Sequence, residues 1–415
     1  MKVVVIGGGA AGMACAYFSA RNGADVILVE KNEKLGKKVY ITGKGRCNVT
    51  NDSEFDEFMA NIVTNSRFMI GAIRAFSPQD TMSLLENLGL RIKVERGNRV
   101  FPASDKSSDV IKTFEKGLKA EGADIRLNTC VSAIQTKDGC VTGVTVYPSG
   151  SPEQTQTIEC DRVVVCTGGV SYPSTGSTGD GYRFAESLGH TVEPPRAALS
   201  GLYLKGDFTS LAGLSLKNIG YSVYSVDNPN KKIYDDFGEM LFTHKGISGP
   251  VVLSSSSYIG LGIAKNARFV VSIDLKPALD EKTLDKRLLK DFGLYKNKAL
   301  KNSLVDLMPR SLIPEVIRLA GLDENKSNSI ISKEERSKLV AAIKGMRYTV
   351  TGLYPIEEAI VTAGGVNVKE ISPSTMESKL VKGLRFAGEV LDVDALTGGF
   401  NLQCAFSTAF IAAKM

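Results

Sequence analysis

The chain of 415 residues contains no tryptophan, two histidines and no Cys-x-x-Cys pair. His190 and His244, with seven cysteines scattered at 15, 47, 130, 140, 160, 166 and 404, leave too few ligands at workable spacing for a zinc or iron–sulfur site, so no metal is expected. An odd, unpatterned set of cysteines reads as reduced thiols rather than a disulfide framework. Long apolar runs are also missing. The hydrophobic stretches are short and broken by glycine or charge, well under the roughly 20 residues of a membrane helix. Met1-Lys2 leads straight into Val3-Val4-Val5-Ile6, with no basic region, long apolar stretch and cleavage site in series. A cytoplasmic protein with no membrane partner is therefore expected. Charge of one sign is scarce: 51 Lys and Arg face 45 Asp and Glu, a net +6. The nearest things to basic runs are Lys37-Lys38 and Lys231-Lys232, too little clustering for a polyanion-binding stripe, so nucleic acid is not an expected partner.

What is present points to a well-buried interior. Hydrophobic residues make up 43% and charged residues 23%, and the length suggests two or three domains. The first thirty residues read as strand, glycine turn, helix and strand. Val3 to Ile6 is continuously apolar, as a strand covered on both faces must be. Gly7-Gly8-Gly9-Ala10-Ala11-Gly12 makes the turn, a helix runs from Ala11 to about Arg21 and stops at Asn22-Gly23, and Asp25 to Glu30 is the second parallel strand. This is a βαβ unit of a doubly wound sheet.

Residues 31–52, rich in Gly, Lys, Asn and Thr, read as a loop. Strands are expected near 124–128 and 141–147, at Arg162–Cys166, at Ala359–Thr362 and at Leu384–Ala387, and a last helix from about Asn401 to Ala413. From about 190 to 275 short β-like runs between glycines suggest a small antiparallel sheet or barrel. From about 280 to 345 the pattern becomes amphipathic and helical. The switch from α/β to β to α and back implies insertion. Residues 1–190 and 355–415 would form a discontinuous nucleotide-binding domain, 191–278 with 346–354 a β-rich domain, and 279–345 a helical one.

Gly7-x-Gly9-x-x-Gly12, following a strand and opening a helix, with Glu30 eighteen residues beyond Gly12, is a dinucleotide site. Gly7 permits the turn, Gly9 lets the backbone approach a pyrophosphate, and Gly12 lets helix and strand pack closely. The helix N-terminus offers free N–H groups to the phosphates, and Glu30 can accept from ribose hydroxyls. The βαβ unit alone does not separate FAD from NAD. A strand ending in Phe386-Ala387-Gly388-Glu389, followed by Thr397-Gly398-Gly399-Phe400-Asn401 opening a helix, favours FAD. It supplies an acid for a ribityl chain and a helix dipole for the flavin ring.

Four segments carry a resemblance to a known family. They are Gly36 to Asn51 (GKKVYITGKGRCNVTN), Phe242 to Pro250 (FTHKGISGP), Thr362 to Val366 (TAGGV), and Gly388-Glu389 through Asn401. Nearly end to end, the chain resembles the bacterial flavoprotein family that includes aminoacetone oxidase and a 3-dehydro-bile acid reductase. That resemblance implies a Rossmann-like FAD domain with an inserted β-barrel domain and a helical domain nested in it. It also implies FAD contacts at Ala11, Glu30, Lys37, Lys38, Gly43, Asn48, Val131, Glu389, Asn401 and Leu402. The better-known FAD enzymes carry Gly-Asp where this chain has Gly388-Glu389.

The implied chemistry is hydride transfer between flavin and a small or steroid-like organic substrate. Reduction of conjugated 3-oxo compounds, amine oxidation of the aminoacetone oxidase type and flavin-dependent tRNA modification all stay open. No second Gly-x-Gly-x-x-Gly unit exists, so NAD(P)H is expected only as a transient donor. His244, Tyr172 and Cys47 are the candidate catalytic groups: His244 or Tyr172 as proton donor, Cys47 as a thiol beside the flavin loop or a packing residue. His190 reads as a junction residue.

Overall fold

The apolar run that opens the chain becomes the middle of a parallel sheet. In the computed structural model, which describes residues 1–415, that sheet runs in the order Leu384–Phe386, Arg162–Val165, Lys2–Ile6, Asp25–Val29, Asp124–Arg126. Val3 lies opposite both Val26 and Arg162, and Val163 opposite Leu384. Val3 to Val5 and Val163 to Val165 are fully buried, because both sheet faces are covered and no position needs to be polar. The helix Ala10–Arg21 is buried from Ala11 to Ala20, and the last helix, Phe400–Ala412, is buried over most of its length. Neither shows a polar stripe, since each is enclosed by core on several sides.

Two compact units emerge: Met1–Ala198 with Ile356–Met415, and Leu199–Pro355. Each has its own hydrophobic core. The second unit contains a closed six-stranded barrel in the order Leu202–Leu204, Gly246–Ser248, Lys232–Thr243, Ser215–Ser225, Phe269–Asp274, Met346–Leu353. The helices Glu281–Leu294, Ile313–Ala320 and Lys333–Lys344 bury Leu284, Val316 and Leu339 in the same core as Val271 and Ile273 of the barrel. Barrel and helices therefore form one unit rather than two, because no polar layer separates their side chains. The expected start of the insertion at 191 also shifts. Val192–Ala198 pairs antiparallel with Val361–Val366 and stays in the first unit.

Two local expectations are corrected. Residues 31–52 are not one loop: they hold a short helix, Lys37–Ile41, a tight turn at Thr42–Gly45 and a strand, Thr50–Asn51. Within the β-rich stretch lies a fifteen-residue helix, Pro250–Ala264. Its Ser254–Ser257 run hid it, and the structure shows how the serines are accommodated. Ser255 Oγ donates to Val252 O at 2.8 Å and Ser256 Oγ to Leu253 O at 2.7 Å, so buried hydroxyls bond back to the helix's own carbonyls. No helix is long and apolar enough to cross a membrane.

Candidate functional site

The glycine turn shows what its glycines do. Gly7 has φ 100°, where a side chain is strained. A Cβ on Gly12 would lie 1.7 Å from Gly7 O, so only glycine lets the helix sit this close to the turn. Gly9 faces open space instead, leaving its backbone approachable. The first helical hydrogen bond is Met13 N–H to Gly9 O at 2.9 Å, so the N–H groups of Ala10, Ala11 and Gly12 are not used within the helix. Glu30 is 8% exposed and closes the turn from the second strand. Its Oε2 accepts from Gly8 N–H at 2.7 Å, and its Oε1 accepts from the Asn32 backbone at 2.8 Å and from Asn32 Nδ2 at 2.6 Å. Oε2 keeps one lone pair for an outside donor.

Glu30 thus both shapes the turn and offers the acceptor. Glu30→Ala is expected to weaken FAD binding about tenfold to a hundredfold, the loss of roughly 1.5–3 kcal/mol from a charged acceptor. Titration of FAD into deflavinated protein checks this, with circular dichroism showing whether the fold survives. Unchanged affinity would leave Glu30 a turn-shaping residue only.

Lys37 and Lys38, neighbours on one short helix, point apart. Lys37 Nζ bonds Asn32 Oδ1 at 3.2 Å and Glu33 at 3.1 Å, on the Glu30 side. Lys38 Nζ reaches Ser171 Oγ at 2.6 Å and both oxygens of Glu389, at 2.8 and 2.9 Å. Glu389 Oε1 also accepts from Thr362 N–H at 2.8 Å. Glu389, the acid expected for a ribityl chain, is ion-paired and ties Lys38 to the Thr362–Val366 segment. Gly388 stands over Ala11: a Cβ there would come within 2.7 Å of the Ala11 methyl.

In the loop 42–51, Gly43, Lys44 and Cys47 all have φ between 56° and 58°, a left-handed path that turns the backbone inward. Arg46 pins it from outside. Its guanidinium contacts Glu95, bonds Asp105 through Nε at 2.7 Å and lies 4.1 Å from the Phe101 ring. Asn48 Oδ1 is buried with no partner in the protein, and so is Thr167 Oγ1 beyond the strand Arg162–Val165. Buried acceptors and donors are seldom left unpaired.

At the last helix, Gly398 and Gly399 have φ 130° and 101°. A Cβ on Gly399 would lie 2.3 Å from Thr50 O, so the helix start is pressed against the loop. The first helical bond is Gln403 N–H to Gly399 O at 3.1 Å, leaving the N–H groups of Phe400, Asn401 and Leu402 unused within the helix. The Asn401 side chain is already committed. It accepts from Ala395 N–H at 3.0 Å and donates to Ala395 O at 2.7 Å. Its backbone N–H and one Oδ1 lone pair are what it has left for a ligand. Val131 is half-buried on the strand Thr129–Lys137, opposite Val146.

Two helix N-termini with unused donors, an oriented acid and orphaned polar atoms at Asn48 and Thr167 fit a dinucleotide that also carries a polar ring. The HI0933-like protein Rossmann domain matches residues 1–415. The chain belongs to this family. It is an FAD-dependent oxidoreductase. It is 30% identical to the 3-dehydro-bile acid delta(4,6)-reductase of Clostridium scindens, over 100% of this chain and 98% of that one. It is 32% identical to a ribosomal RNA dihydrouridine synthase of Haemophilus influenzae, over 99% of this chain and 97% of that one. Among solved structures, the 3-ketosteroid delta1-dehydrogenase from Sterolibacterium denitrificans superposes with a TM-score of 0.55 at 14% identity, covering 99% of this chain and 98% of that one, which shows a shared fold.

The candidate catalytic groups of this flavoenzyme fare differently. Cys47 is fully buried, and burial pushes its thiol up to about 11, so it is protonated at neutral pH and unsuited to act as a thiolate. Tyr172 is half-buried in a left-handed conformation at φ 52°, with its N–H on Glu357 O at 3.0 Å. His244 is exposed in an open depression of the barrel unit, beside Tyr203, Asp207, Thr209 and Thr351. His190 is buried, and desolvation lowers its pKa despite Glu370. It bonds Glu370 at 3.1 Å and Ser378 at 2.8 Å, a structural tie within the first unit. Two acids escaped notice in the sequence. Asp392 and Asp394 are buried, and desolvation raises both. Their spacing between Gly388 and Asn401 was the one available signal.

Proposed function

We propose that this oxidoreductase reduces a carbon–carbon double bond conjugated to a carbonyl, in a small or steroid-like molecule, with NAD(P)H as a transient donor. The full-length similarity to a 3-dehydro-bile acid delta(4,6)-reductase carries the reading. Conjugation matters because the carbonyl draws electron density from the far carbon, which then accepts hydride, while a proton goes to the near one. FAD, when bound, supplies the hydride. The chain's own residues do the rest. Gly9, the N–H groups of Ala10 to Gly12 and Glu30 would hold the adenosine diphosphate half. Lys37 and Lys38, Gly43, Asn48, Val131 and Glu389, with the backbone of Asn401 and Leu402, would line the remainder. The unused N–H groups at the start of Phe400–Ala412 would favour negative charge on a flavin ring held beside them. Tyr172 and His244 are the candidate proton donors.

A second substrate, a uracil base in RNA, is favoured by two observations. One is the 32% identity to a ribosomal RNA dihydrouridine synthase, a name that implies reduction of the ring double bond conjugated to a carbonyl. The other is the placement of charge. Leu199–Pro355 holds 23 Lys and Arg against 16 Asp and Glu, while the rest holds 28 against 29, so the whole positive excess lies in the barrel unit. A polyanion would be drawn to that unit. The chemistry is common to both readings and the substrate differs.

The deciding experiment is anaerobic. The flavin is reduced with NADH or NADPH, and its reoxidation is followed with a 3-oxo-4,6-diene steroid or a uridine-containing ribosomal RNA fragment, while oxidised enzyme is mixed separately with an aliphatic amine. Reoxidation by the steroid, with one H2 gained per double bond by mass spectrometry, is expected. Reoxidation by RNA alone would shift the assignment to the second substrate. Reduction of oxidised enzyme by the amine, with neither unsaturated acceptor turning over, would overturn both.

A further inference from the structure

Gln403 is wholly buried in a helix otherwise suited to apolar packing. Burying a primary amide is costly unless every donor and acceptor finds a partner, and here all do. Its Oε1 accepts the hydroxyl protons of Thr50 at 2.6 Å and Thr81 at 2.7 Å. Its Nε2 donates to Phe76 O at 3.1 Å and to Ser407 Oγ at 3.0 Å, and Ser407 Oγ in turn donates to Phe76 O at 2.7 Å. Two donors and two acceptors are the whole capacity of a glutamine side chain.

The ends of this network are what give it meaning. Thr50 belongs to the strand Thr50–Asn51 that ends the 42–51 loop, and it is fully buried. Gln403 supplies the first N–H bonded inside the last helix, to Gly399 O. The amide therefore joins the loop to the helix start. Asn51 makes a parallel tie, its Nδ2 donating to Gly398 O at 3.0 Å. Thr81 and Phe76 anchor the network to a third element, the helix Pro78–Asn87 and the residues before it. A saturated buried network permits one arrangement of the segments it joins, whereas an apolar contact tolerates sliding.

We propose that Gln403 is a positioning residue: it locks the 42–51 loop to the first turn of the last helix, so that both meet the flavin in fixed register. This rests on the FAD reading above. The amide spends all of its hydrogen bonds within the protein. It acts through Thr50 and through the helix backbone.

The test uses the full-length protein, deflavinated and titrated with FAD, with three variants. Gln403→Met keeps the volume and removes every bond; Thr50→Val cuts only the tie to the loop; Thr81→Val cuts only the anchor. Gln403→Met and Thr50→Val are expected to raise the FAD dissociation constant about tenfold and to lower the midpoint potential measured at saturating FAD. Thr81→Val is expected to lower thermal stability and leave the potential unchanged. Gln403→Met with wild-type affinity and potential but reduced stability would show a packing role and overturn the proposal. Should Gln403→Met fail to fold, Thr50→Val decides on the same two readouts. A wild-type protein that binds no FAD overturns the cofactor reading, and this proposal with it.

Discussion

Gly12→Ala is expected to cost the protein its FAD, by up to about a hundredfold in affinity. The added methyl would sit 1.7 Å from Gly7 O and 2.9 Å from Gly7 C, both backbone atoms of the turn itself. Neither can give way as a side-chain end could, so the helix Ala10–Arg21 must back away from the strand. Overpacking of this kind costs about 1–3 kcal/mol, and here the displaced part is the N-terminus that would face the phosphates. The helix is buried from Ala11 to Ala20 and packs in the main core, so its retreat is also resisted from behind. The expected result is a folded, colourless protein with lowered thermal stability. The checks are FAD retention through gel filtration and titration of the deflavinated protein. A yellow Gly12→Ala protein with wild-type affinity would mean that the dinucleotide lies elsewhere. Gly9→Ala is a useful control, since the added Cβ meets nothing within 4 Å in the protein and hinders only a ligand.

The second large effect is expected at the other end of the cradle. Gly399→Ala places a methyl 2.3 Å from Thr50 O and 2.4 Å from Thr50 C, at φ 101°. The conformation alone costs an L-residue about 1–2 kcal/mol, and the clash forces the helix start away from the loop. Under the placement proposed above, the N–H groups of Phe400 to Leu402 then withdraw from the reduced flavin. A helix N-terminus stabilises a nearby anion by about 0.3–1 kcal/mol when exposed and up to about 2 kcal/mol when partly buried. For a two-electron couple that is a fall of about 10–40 mV in midpoint potential. A redox titration with FAD bound in mutant and wild type measures it. A potential that stays level or rises would remove this helix as the ring's electrostatic partner. The next to test would be Lys38, although its ammonium is already shared between Glu389 and Ser171.

The two predictions differ in how far the sequence alone could carry them. Gly12 and Gly7 lie in one turn, and the glycine spacing announces their contact. Gly399 and Thr50 lie far apart in the chain, and nothing about the glycine pair names its neighbour. The same division runs through the site. Glu30 is legible because strand, turn, helix and strand follow one another, and the acid must end the second strand beside the turn. The Lys38–Glu389 pair spans 351 residues, and Gln403 bonds Thr50 across 353. Arg46 finds Glu95 49 residues on. Such pairs depend on where the chain returns to the sheet, which periodicity does not encode.

Cys47 makes the point from the other side. A cysteine inside a glycine-rich flavin loop is an attractive nucleophile on paper. The structure buries it on a left-handed backbone, with a raised thiol pKa. The helix Pro250–Ala264 was hidden because its serines read as strand or loop, and only their bonds to the helix carbonyls explain how they fit. Charge behaves likewise. The net +6 is dispersed along the sequence, and its concentration in Leu199–Pro355 appears only once the unit boundaries are known.

By itself, then, the sequence determined the βαβ unit with its glycine turn, the acid Glu30 that follows the second strand, and the change of pattern in the middle of the chain. Each rests on short-range spacing or on a change of hydrophobic period. The tertiary structure decided which lysine meets which acid, that Glu389 is paired, that Asn401 spends its side chain on Ala395, and that loop and final helix are joined through Gln403. These follow from packing between residues hundreds of positions apart, where burial requires every polar atom to find a partner that local sequence does not specify.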